Sequence, residues 1–75
     1  MTWTATPPSA PGWYWVRHEK MPPVVVHVRW EGAKLFASNP DQRIMGNPDS
    51  LRDHALSRGL FLHWAGPILP PEAAA

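Results

Sequence analysis

Pro11-Gly12-Trp13-Tyr14-Trp15-Val16-Arg17 sets three aromatics and a β-branched residue between a Pro-Gly turn signal and a charged loop. Aromatic and β-branched residues suit a pleated, half-buried surface, so in a chain of 75 residues this run reads as a core strand. Downstream, Val24, Val26, Val28 and Trp30 alternate with Val25, His27 and Arg29, which is the period of two expected of a second strand. Pro22-Pro23 marks its start, and residues 18–21 become the hairpin loop between the two strands. Glu31-Gly32 then offers a tight connection, with Gly supplying a positive φ, into a third strand over 33–37 whose Leu35 faces inward.

Residues 38–46 hold Asn39-Pro40-Asp41 and run into Met45-Gly46-Asn47, turn chemistry that reads as a loop. A helix over 48–58 follows with both ends written in. Asn47 or Asp49 can cap it, Pro48 suits its first turn, Ser50 and Asp53 have capping-box spacing, and Gly59 supplies a left-handed stop beside Arg58. Its apolar stripe is narrow, comprising Leu51, Ala55 and Leu56. Leu60-Phe61-Leu62-His63-Trp64 predicts a closing strand, which stops at Ala65-Gly66-Pro67.

The order β-β-β-α-β makes this a β-rich α+β fold. It suits a small antiparallel sheet or an SH3-like, partly open barrel, with the last strand returning beside the first. A four-stranded sheet with the helix on one face is the alternative. Trp13, Trp15, Val26, Val28, Trp30, Leu35, Leu62 and Trp64 are the expected core.

A domain of this size buries only about 60% of the surface its unfolded chain exposes, so it needs reinforcement. With no Cys, disulfides and thiolate metal sites are closed, which fits a reducing compartment. Five Trp, two Phe and one Tyr supply large core side chains instead, and a homodimer stays open. The formal charge of +1, with both signs intermixed, predicts no field that would steer the chain to nucleic acid or anionic membrane. The N-terminus has neither the basic nor the apolar region of a secretory signal, and no apolar run reaches the roughly 20 residues of a membrane span. A cytoplasmic protein is expected.

The compact domain is expected over 12–69, preceded by an extended Pro-rich arm over 1–11 and followed by a flexible tail over 70–75. Pro8-Ser9-Ala10-Pro11 and Pro67-Ile68-Leu69-Pro70 have P-x-x-P form, which in a chain with 10 Pro is read simply as rigid ends. Trp3 stands apart in the arm, since an indole gains most when buried. It either folds back onto the domain or inserts into a partner.

His18, His27, His54 and His63 show none of the short spacings that build zinc sites, so no metal and no cofactor are expected. No nucleophile elbow or paired carboxylates appear, and no enzymatic activity is expected. Strand alternation places Tyr14, His27, Arg29, Phe61 and His63 together on a face opposite the core. Aromatic, imidazole and guanidinium groups together suit a protein hot spot or base stacking, unless the helix covers that face and Phe61 is second-layer core. Protein is the expected partner, because single-strand grooves carry a basic surplus that this chain lacks.

Gly12-Trp13-Tyr14-Trp15-Val16-Arg17, taken with Trp64-Ala65-Gly66-Pro67-Ile68, resembles a group of very short phage and prophage proteins. These open on a G-W-Y-W-V-R-like strand and close on a W-x-G-P-I-like one. The resemblance covers both ends of the domain but not residues 40–58, and it transfers no catalytic residue. It implies an accessory protein in a bacterial cytoplasm, acting on a host or phage protein, for instance as an inhibitor of host defence or regulation. A nucleic-acid-binding small barrel and a minor phage structural or assembly component are the alternatives.

Overall fold

The aromatic run forms strand β1 (Gly12–His18), and the valine run forms β2 (Met21–Glu31), paired to it antiparallel. The structure is a computed structural model that describes residues 2–41 and 43–69, so the expected tail lies outside the described residues. A two-residue turn, Glu19-Lys20, joins the strands, and β2 begins three residues earlier than expected. His18 lies opposite Met21, yet Val16 lies opposite Val24. Two steps along β1 therefore span three along β2, and the extra residue falls at Pro22-Pro23. Proline has no N–H to give the ladder, so a bulge accommodates it.

The bulge decides which face is which. Beyond it Tyr14 lies opposite Val26 and Trp15 opposite Val25. The Val24, Val26, Val28 side is the core side, as expected, and Tyr14 and Val16 join it. The assignment of Trp13 and Trp15 to the core is thereby corrected, and so is that of Tyr14 to the outer face.

Strand β3 (Lys34–Ser38) pairs with the far half of β2 after the Gly32 turn, where φ is +64°. A two-residue strand β4 (Met45–Gly46), absent from the sequence expectation, pairs with the end of β3. Asn39 makes it possible: its N–H donates to the Ile44 carbonyl at 3.1 Å and its Oδ1 accepts from the Ile44 N–H at 3.0 Å, closing the loop. Helix α1 (Pro48–Ser57) starts on Asn47, whose Oδ1 accepts from the N–H groups of Asp49 and Ser50 while Nδ2 donates to the Leu35 carbonyl. One side chain thus caps the helix and ties it to β3.

The helix stops in a Schellman motif, as Gly59 N–H donates to Leu56 O and Leu60 N–H to Ala55 O, both at 2.9 Å. That motif uses Leu60 to turn the chain back toward the sheet. The closing strand β5 (His63–Ile68) consequently begins at His63 rather than at residue 60, beside β1 as expected. The result is a five-stranded antiparallel sheet, ordered β4-β3-β2-β1-β5, with one helix; it is not a closed barrel.

Tyr14, Val16, Val26, Val28, Leu35, Ala37, Ala55, Leu62 and Trp64 form the core between sheet and helix. Trp30 has the phase of Val26 and Val28 but is 57% exposed, because β1 ends opposite Val28 and leaves no neighbour to cover it. Its expected core place is corrected. At the other edge Thr4 exchanges two 2.8 Å backbone hydrogen bonds with Trp64, so residues of the arm blunt the free side of β5. Gly66 lies where a Cβ would come within 2.9 Å of the Tyr14 ring and 3.0 Å of the Trp13 carbonyl, at a φ of +142°.

Trp64→Ala should remove about 3–5 kcal/mol of stability in a urea melt, and Trp30→Ala no more than about 0.5. Equal losses from the two substitutions would contradict this core. Gly66→Ala should cost about 2 kcal/mol or more through steric overlap and backbone strain, read in the same melts.

Candidate functional site

With the helix on the inner side, the alternation of four strands leaves Trp13, Trp15 and Arg17 of β1 on the other face of the sheet, with Val25, His27 and Arg29 of β2. Phe36 and Ser38 of β3 and His63 of β5 share that face by register. Among the described residues α1 is the only helix, and it packs against the inner side. No described helix covers the outer face, whose side chains are half-buried apart from the exposed Arg17.

Its side chains are held by one another. Trp13 and His27, directly opposite across β1 and β2, stack with ring centroids 4.4 Å apart and planes 13° from parallel. That separation is close to the roughly 4.8 Å spacing between strands, so the ring normals run from strand to strand and the ring edges point outward. The Arg29 guanidinium lies 5.1 Å from the Phe36 ring centroid, donates to Ser38 Oγ at 3.1 Å and approaches Glu31 at 3.7 Å. Arg17 lies 4.1 Å from the centre of the Trp3 ring. A depression of about 300 Å³ beside the Trp13–His27 stack is bounded by Ser38, Asn39 and Pro40.

Of the residues expected on this face, His27, Arg29 and His63 are on it. Tyr14 is not: it is buried in the core, with its hydroxyl donating to the Ala10 carbonyl at 2.9 Å. Phe61 is exposed but sits in the connection from α1 to β5, outside the strand that was to carry it. Trp3 folds back onto the domain. The face also carries Trp13, Trp15, Arg17 and Phe36, which the sequence expectation does not include; the signal that points to them is Pro22-Pro23, whose missing N–H groups place a bulge in β2 and shift its register with β1 by one residue. The loop expected over 18–21 is that tight turn, with His18 Nδ1 accepting from the Lys20 N–H at 3.0 Å.

Among the described residues no three His, Asp or Glu side chains gather as a metal site, and no helix is long and apolar enough to cross a membrane. Comparison with protein-family models, curated proteins and solved structures gives no match for this chain.

Because Arg17 clamps Trp3, Arg17→Ala should loosen the arm by about 0.5–1 kcal/mol. The Trp64 amide, bonded to Thr4, should exchange faster with deuterium while those of Val26 and Val28 are unchanged. Uniform acceleration across the sheet would contradict a local role.

Proposed function

We propose that this chain is a small non-enzymatic protein-binding module whose partner docks on the open sheet face. The observation that carries this reading is the array of half-buried Trp13, Trp15, Phe36 and Arg29, with exposed Arg17, on one face of the sheet. Trp and Arg are the side chains over-represented where interfaces concentrate their binding energy, and a pocket beside them gives a partner side chain somewhere to insert.

Stacking on nucleic-acid bases is less well served. Base platforms offer ring faces, whereas here one face of Trp13 is turned to His27, one of Phe36 to Arg29 and one of Trp3 to Arg17. The net charge of +1 adds no electrostatic funnel. On the resemblance of its two ends, the setting we propose is a phage or prophage accessory protein in a bacterial cytoplasm, acting on a host or phage protein, with inhibition of host defence or regulation as one form.

Trp13→Ala and Arg29→Ala baits should fail to retain a protein that the wild-type chain captures from a bacterial lysate. Each should lose about 1–2 kcal/mol or more in affinity while staying folded by circular dichroism. Capture unaffected by both would remove this face. Submicromolar binding of a single-stranded oligonucleotide that weakens steeply between two salt concentrations would replace the protein partner with nucleic acid. Sedimentation equilibrium separates a second copy of the chain from a foreign partner.

A further inference from the structure

The opposite side of the molecule carries a second feature, at the mouth of the core where the β1–β2 turn, the segment before β4 and the end of α1 come together. A cleft of about 280 Å³ opens there. Its walls are aliphatic, built from Met21, Ile44, Leu51, Leu60 and Leu62. Besides Ala55, its other lining groups are Arg43, Arg58, His18 and His54, and none of the described Asp or Glu residues belongs to the wall.

Two of these bases have a local explanation. His54 and Arg58 lie at the C-terminal end of α1, where the Arg58 charge complements the helix dipole. His18 closes the β1–β2 turn by accepting from the Lys20 N–H, whereas Arg43, from the segment before β4, has no such local partner among the described residues. Neither Arg43 nor Arg58 pairs with a carboxylate among the described residues, whereas Arg29 and Arg52 both do. An apolar hollow rimmed by two arginines from different segments, with no described acidic residue in its wall, is complementary to a molecule with an apolar body and an anionic head. The volume falls just under the range of about 300–1,000 Å³ typical of small-molecule sites, so it matches one short tail rather than a run of side chains.

We infer that this cleft binds a short amphiphilic carboxylate, with the aliphatic tail against Leu51, Leu60 and Ile44 and the carboxylate at Arg43 and Arg58. The site is separate from the open sheet face and does not depend on the proposed protein-binding role.

The test is an amide-shift titration of the full chain with three probes of equal tail length: octanoate, 1-octanol and octylammonium. Octanoate should give saturable shifts centred on Leu51, Ala55 and Leu60, and should bind at least about fivefold more tightly than the other two. The exposed double substitution Arg43→Gln with Arg58→Gln should abolish that preference, with thermal unfolding lowered only slightly by the loss of Arg58 at the helix C-terminus; if it fails to fold, the three-probe series on the wild type still decides. Equal affinity for 1-octanol would reduce the cleft to an uncharged hollow and overturn the inference. So would shifts that map to Trp13 and Trp15, or tighter binding of a capped Glu-Leu-Leu-Glu peptide, which would assign the cleft to a polypeptide.

Discussion

One extra residue at Pro22-Pro23 governs the arrangement of everything above it. Side chains alternate with a period of two, so a one-residue change of register exchanges the faces of a whole strand. Carried through from the His18–Met21 pair without the bulge, the register would set Trp13 opposite Val26 and bring Trp13 and Trp15 into the core. With it, Tyr14 and Val16 go inward, and the two indoles go outward. Two consecutive prolines have no N–H groups to offer the ladder, so they occupy the position where a break in it costs least. The open face is the consequence of that local choice.

The rest of the structure closes the weak points such a small sheet would have. A two-residue β4 ends one side, and Thr4 covers the other by pairing with Trp64. Both edges are thereby too short or too occupied to template pairing with another chain. Trp64 is the central solid of the core, 1% exposed, although its indole N–H finds no partner among the described residues. An unpaired buried donor costs about 1–3 kcal/mol, which the burial of the rest of the indole offsets. In a chain without cysteine, large rings do the work that cross-links do in other small domains.

The elements were readable where local chemistry is decisive. Asn47, Pro48 and Gly59 mark the helix because caps and stops depend on the residues themselves. The valine alternation marks β2, and its inward side, because apolar period two has one physical meaning. What could not be read is relational. Alternation in β1 says that Tyr14 opposes Trp13 and Trp15, but only the register with β2 says which of them is inside. Ring size argued for the indoles and lost, since the smaller Val16 and Tyr14 sit between the β2 valines and Trp64. Strand β5 was placed early because Leu60 and Leu62 keep the inward phase of a strand while serving to stop the helix and return the chain. Of the site, His27, Arg29 and His63 were legible through strands of correctly read phase, and Tyr14 and Phe61 were not, for the two reasons just given.

The inversion of β1 also separates what holds the domain together from what it presents. An interface built on core aromatics would tie affinity to folding, because any substitution that tuned one would disturb the other. Here Trp13 is braced laterally by His27 across the strands and Trp3 of the arm by Arg17, while the core rests on the inner valines, Trp64 and the helix contacts. Lateral bracing would also lower the entropy cost of the docking proposed above, since rings already fixed lose little rotamer freedom on contact.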